Sequence, residues 1–280
     1  MAEGKLSLPV VRSVGETSRK DLWWVQPLAV FLGFSAFIVY STWAAFQGNH
    51  YWLAKEAPGV KYEYAANYLS PFYSPELFGD SPHALFGGKP NWWPAFVPFS
   101  AALLILPFPG LFRFTCYYYR GAYYKAFWAD PLNCGVGEPR KSYWGENSWP
   151  LILQNVHRYA LYFALIFIVI LFWDFIQALR FQDAAGNWHF GVGVGTLVLL
   201  LNVLLLGSYT FGCHSFRHLI GGHRDELAGS PTQKKAYDCV SCLNRWHMAC
   251  AWCSLFWVGF SDVYVRMCSM GVWTDFRLVF

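Results

Sequence analysis
Charge is what this sequence has least of. Asp, Glu, Lys and Arg make up 14% of its 280 residues, against roughly 25% in soluble domains. Five stretches hold none at all: 22–54, 90–112, 159–173, 184–216 and 246–261. A water-facing surface cannot be built from such segments, which argues against a soluble globular fold. The net charge of +4 is small and the basic residues are scattered, so no nucleic-acid groove is expected. Residues 1–21 are polar and of mixed charge, with neither an apolar core nor a small-residue cleavage site. A cleavable signal peptide is therefore not expected, and the first apolar segment reads as an uncleaved signal anchor. No internal repeat is visible, and Asp174 and Asp262 stand near the ends of apolar stretches. A transporter or scaffold of the non-redox kind gains little from that pattern. A zinc enzyme would want an H-E-x-x-H or a similar base-bearing motif, and there is none.

What is present is length without charge. About 20 apolar residues cross the ~30 Å hydrocarbon layer, and each stretch supplies that or comes within a turn of it. Arg158, Asp174, Asp262 and Arg266 are placed to reach the interface from span ends. The expected fold is an all-α integral membrane protein, a bundle of about five transmembrane helices. It forms one membrane-anchor domain, 1–280, with spans near 24–46, 94–118, 151–179, 191–216 and 243–269. Pro107 and Pro109 predict a kink or early end in the second. The loop 48–92, rich in Pro, Tyr and Gly, is expected to cap the outer face. Trp23, Trp24, Trp92, Trp93, Trp144, Trp149 and Trp188 flank spans as an aromatic belt would.

Basic residues orient the bundle. Lys5, Arg12, Arg19 and Lys20 precede the first span. Arg113, Arg120, Lys125, Arg140 and Lys141 follow the second, and Arg217, Arg224, Lys234, Lys235 and Arg245 follow the fourth. Six lie on the other side: Lys55, Lys61, Lys89, Arg180, Arg266 and Arg277. The positive-inside rule then predicts a cytoplasmic N-terminus in a plasma or inner membrane.

Cysteine and histidine gather on the side predicted to be cytoplasmic. The second span delivers Cys116, with Cys134 beyond it, and the third begins at His157. The fourth ends at Cys213, His214 and His218, and the fifth is preceded by Cys239 and Cys242 and opens near His247. His50, His83 and His189 fall elsewhere. His214 and His218, four apart, share one helix face and suit one metal. Cys239 and Cys242 form a C-x-x-C. Two imidazoles with two thiolates match a Rieske-type [2Fe–2S] centre; a haem between two His, or a zinc site, fits the inventory equally. The blander account makes Cys250, Cys253 and Cys268 packing residues and lets His214 and His218 meet lipid phosphate or a partner.

Residues 115–125, Thr-Cys-Tyr-Tyr-Tyr-Arg-Gly-Ala-Tyr-Tyr-Lys, are aromatic and basic. They read either as an interface belt or as a docking face that also walls a quinone pocket. Tyr119 and Arg120, with Gln154, Arg158 and Tyr159 at the mouth of the third span, are the candidate quinone contacts.

At these residues the chain resembles the membrane anchor of respiratory complex II, succinate dehydrogenase or fumarate reductase. The likeness is to the single-chain, five-helix kind with an embedded Rieske-type cluster. Residues 40–46 (Tyr-Ser-Thr-Trp-Ala-Ala-Phe), 68–75 (Tyr-Leu-Ser-Pro-Phe-Tyr-Ser-Pro) and 115–125 carry it. So do 150–159 (Pro-Leu-Ile-Leu-Gln-Asn-Val-His-Arg-Tyr), 213–218 (Cys-His-Ser-Phe-Arg-His) and 243–248 (Leu-Asn-Arg-Trp-His-Met). The resemblance implies a flavoprotein partner that oxidises succinate and an iron–sulfur partner that relays electrons. The anchor, among membrane lipids, would pass them through its own centre to quinone. It places the centre among Cys116, Cys213, His214, His218, His157 and His247, with haem b as the alternative cofactor. The C-x-x-C is foreign to the family pattern, which leaves Cys239 and Cys242 as rival thiolates to Cys116 and Cys213.

Overall fold
Four helices carry the long apolar runs. The computed structural model describes residues 13–280 except 54–55, 141–144, 146, 150 and 223; Lys5, Arg12, Lys55, Lys141, Trp144 and Pro150 thus lie outside the described residues. Helix α1 covers Val25–Gln47, and α5 covers His157–Gln177 behind a 3-10 turn at Leu151–Val156. Helix α6 covers Val194–Phe211 and α9 covers His247–Ser269. At 1.5 Å per residue the shortest, α6 with 18 residues, reaches about 27 Å, near the thickness of the hydrocarbon layer. Each is long and apolar enough to cross a membrane.

The segment expected as the second span is divided at the prolines that predicted a kink or early end. Helix α2 covers Ala102–Ile105 and α3 covers Pro107–Phe114. Leu106 and Gly110 still donate to Ala102 and Leu106, each at 2.9 Å. Pro107 and Pro109 have no N–H to give, which is why the run breaks where it does. Together the two helices reach only about 20 Å. Four described helices, not five, have spanning length.

The chain falls into two compact units, 1–36 with 114–155 and 37–113 with 156–280. In the smaller, helix α4 (Tyr117–Trp128) packs Phe127 on Phe31 of α1 at 4.9 Å and Tyr119 on Phe34 at 5.2 Å. The segment before α1 is tied to the loop after α4. Thr17 donates to the Gly135 carbonyl at 2.8 Å, and Arg19 reaches the Asn133 side chain and the Cys134 carbonyl at 3.1 and 2.9 Å. Two of the three basic segments assigned to one side of the membrane are therefore bound together.

In the larger unit α6 packs on α9 and α5; half of the α6 span is buried, against 11% for α1, so α6 is the central helix. One end of this unit is closed by short strands. Strands β1 (Trp52–Leu53) and β5 (Tyr68–Leu69) pair, as do β2 (Glu56–Ala57) and β3 (Val60–Lys61). An antiparallel sheet orders β4 (Ala65–Ala66), β6 (Arg180–Gln182), β7 (Trp188–Gly193) and β8 (Arg277–Val279) as β4-β6-β7-β8. All three segments in it were expected on the side opposite the basic loops. The fold is accordingly mostly helical rather than all-α, because loop backbone at that end pairs its polar groups in strands. Tyr68, Phe181, Leu199, Val265 and Cys268 form the core beneath it. Gly271 closes the turn after α9 at φ +73°, against the Pro58 carbonyl, where a side chain would collide.

Candidate site at the helix ends
At the other end of the larger unit, α5 starts, α6 stops and α9 starts. His157 is the first residue of α5 and is buried. Cys213, also buried, is the extended residue between α6 and helix α7 (His214–Gly221). His157 Nε2 lies 3.1 Å from Cys213 Sγ. His247, the first residue of α9, is half-buried and within electrostatic reach of His157.

Aromatic rings hold both imidazoles. Phe112 stacks on His157 at 4.9 Å and 10°, and Tyr209 stacks on His247 at 4.9 Å and 16°. Phe112 and Tyr209 meet edge to face at 5.5 Å, which closes a chain of four rings. The Arg113 guanidinium lies over Tyr209 at 4.7 Å and donates to Ser254 Oγ at 2.9 Å. Sequence reasoning does not reach Phe112 and Tyr209 or this placement of Arg113. Their only sequence signal is Tyr209's position four residues before Cys213, one helical turn away.

Phe112, Arg113 and Tyr209 also border a largely apolar cavity of about 170 Å³ inside the larger unit. It runs past Ala164, Leu171, Leu206 and Val258 to Ser41 and Phe72.

The remaining expected site residues are placed as follows. His214 and His218 are exposed on α7, their Nε2 atoms 3.0 Å apart. Cys239 and Cys242 are exposed thiols on helix α8 (Pro231–Arg245). Arg158 and Tyr159 are exposed. In the smaller unit Cys116 is buried at the start of α4, Tyr119 is buried, and the Arg120 guanidinium covers the Tyr117 ring at 4.9 Å. Gln154 is buried there too; its amide donates to the Tyr123 hydroxyl, while its Oε1 has no hydrogen-bond partner among the described residues. Among the described residues no three His, Cys, Asp or Glu side chains are arranged to hold a single metal ion.

The carboxylates lie elsewhere. Outside the spans, backbone hydrogen bonding from Asn187 leads the contacts that pull Asp183, in the β6–β7 turn, down to about 2.

These features define an integral membrane protein with soft donors at one end of its helices. Its relatives make the class specific. The family described as actinobacterial succinate dehydrogenase subunit SdhC matches residues 25–271. A chain of the Mycobacterium smegmatis Sdh1 complex, solved in the apo form, is 38% identical, with a TM-score of 0.82 and 100% of each chain covered. No curated protein matches. The chain belongs to the actinobacterial SdhC family: it is a membrane-anchor subunit of succinate dehydrogenase.

Proposed function
We propose that this anchor takes electrons from an iron–sulfur subunit and delivers them to a membrane quinone through a Rieske-type [2Fe–2S] centre at the α5, α6 and α9 ends. A flavoprotein subunit would oxidise succinate and feed the iron–sulfur subunit. The positive-inside count supports a cytoplasmic N-terminus and a centre on the cytoplasmic side. The single observation that carries the reading is the His157–Cys213 pair, an imidazole nitrogen 3.1 Å from a buried thiol sulfur.

The donors fit such a group. In a Rieske-type centre two His hold one iron and thiolates hold the other, so His157 and His247 would serve one iron and the buried Cys213 beside them the second. His157, His247 and Cys213 are the proposed ligands within the larger unit. The exposure of Cys239 and Cys242 counts against the rival pair. The buried Cys213 thiol beside His157 is a donor that a di-His haem b would not use, which favours the cluster over haem b.

Such a centre, when bound, supplies one-electron transfer at a potential suited to quinone. The residues do the rest. Phe112 and Tyr209 fix the planes of the two imidazoles and keep water from their faces. Arg113, anchored on Ser254, holds Tyr209 in place by its charge over the ring. Gln154 Oε1 is an acceptor available to a reduced quinone's hydroxyl. Low-temperature EPR of the reduced, purified complex tests the proposal. A signal of low average g, absent from the soluble subunits alone, is expected; its absence would withdraw the cluster while leaving the anchor role intact.

A further inference from the structure
The motif that the proposed centre leaves unused is the histidine pair on α7. His214 and His218 are four residues apart on one face, with rings edge to face at 4.5 Å between centroids and 86° between planes. Their Nε2 atoms face each other at 3.0 Å, and both side chains are exposed. Two imidazoles on one tetrahedral zinc, with bonds of 2.0–2.1 Å, put their nitrogens about 3.3 Å apart. A small opening of the pair admits the ion. The helix already holds both ligands in register, so little ordering is needed to bind. Arg217, the cation between them in sequence, is drawn to the Tyr237 ring of α8 at 5.8 Å.

We propose that His214 and His218 form a surface site for a divalent transition cation such as Zn²⁺, and that filling it slows electron delivery to quinone. Two water molecules would complete the coordination, so the site is open and reversible rather than structural. Imidazole donors select copper, nickel and zinc over magnesium and calcium, which prefer oxygen. The slowing has a short mechanical route: Cys213 immediately precedes His214, so an ion bridging His214 to His218 stiffens the turn that carries the proposed thiolate. That second half rests on the ligand assignment above; the binding half does not.

The test uses the purified complex in detergent, titrated with Zn²⁺ or Mg²⁺. Zinc bound beyond the metal already present is followed with a competing indicator dye, alongside succinate oxidation by quinone and by an artificial acceptor. The expected result is zinc-specific, chelator-reversible slowing of the quinone reaction alone. His218→Gln should keep the zinc-free rate and need at least about 10- to 100-fold more zinc, since losing even a ligand's outer-shell partner costs that much affinity. Equal zinc binding by wild type and variant would overturn the site. A variant that loses quinone reduction or its EPR signal before zinc is added would also overturn it, since the pair would then belong to the redox centre. Zinc that binds without changing the quinone rate would overturn the regulatory half. Absence of a Rieske signal in the wild type would overturn the cluster reading and leave the zinc titration standing.

Discussion
The two ends of the larger unit solve the burial of polar groups in opposite ways. At the sheet end, acidic side chains are buried and saturated. Tyr40 donates to Asp262 at 2.6 Å, Ser70 donates to its other oxygen, and Arg266 approaches at 3.3 Å, with Asp262 and Arg266 almost fully buried. Asp275 accepts from Tyr264 at 2.6 Å, from the Gly195 N–H at 3.0 Å and from Arg277 at 2.7 Å. Glu76 takes the Tyr51 hydroxyl at 2.7 Å, and Ser74 donates to Asp174. At the site end the buried groups are an imidazole and a thiol, flanked by stacked rings. Hard oxygen donors already committed to hydroxyls and guanidinium lock loops to helices. Soft donors packed against aromatic faces are of the kind that a transition-metal centre takes. The sheet end holds shape, and the site end carries the donors of the proposed centre.

The contrast breaks most completely if chemistry fails to separate from stability. Replacing both His157 and His247 with Ala should reduce quinone reduction to background while succinate oxidation by an artificial acceptor persists; retained quinone turnover would remove the site end from the mechanism. At the sheet end, Asp262→Asn should do the reverse. It leaves Arg266 buried without its counter-charge, at a cost of about 3–5 kcal/mol, visible as a lowered thermal unfolding midpoint of the complex with its reduced spectrum unchanged. Tyr40→Phe removes one hydrogen bond to that carboxylate and should cost about 1.5–3 kcal/mol in the same assay. A loss equal to that of Asp262→Asn would mean that the phenol, not the guanidinium, dominates the network.

The smallest effect concerns pH at the exposed β6–β7 turn. Asp183 is held down at about 2, led by the Asn187 backbone N–H, below the ordinary Asp value near 4. Its contribution is therefore complete above about 4 and disappears as pH falls toward 2, with no change near neutrality. A fall in amide protection in this turn below pH 4, measured against the intrinsic exchange rate at each pH, and no fall between pH 6 and 8, is expected.

Much of this molecule is readable in one dimension. Uncharged runs announce α1, α5, α6 and α9, because a helix that meets lipid must be apolar nearly all round and must satisfy its own backbone. Residues 94–118 read as a span kinked or cut short at Pro107 and Pro109, and the chain divides at those prolines into two short helices. The sheet was not visible, since its strands are two to six residues long and pair across loops far apart in sequence. Among the candidates, His157, Cys213 and His247 were named from their places at helix ends. Sequence could not rank them above His214 and His218, because helical spacing shows which residues share a face and not which way that face turns. Composition and charge pattern by themselves determined that this is a membrane protein with donors gathered at one end of its helices. Only tertiary packing decided which donors are buried and which are exposed, because burial depends on neighbours that α6 and α9 bring together from distant parts of the chain.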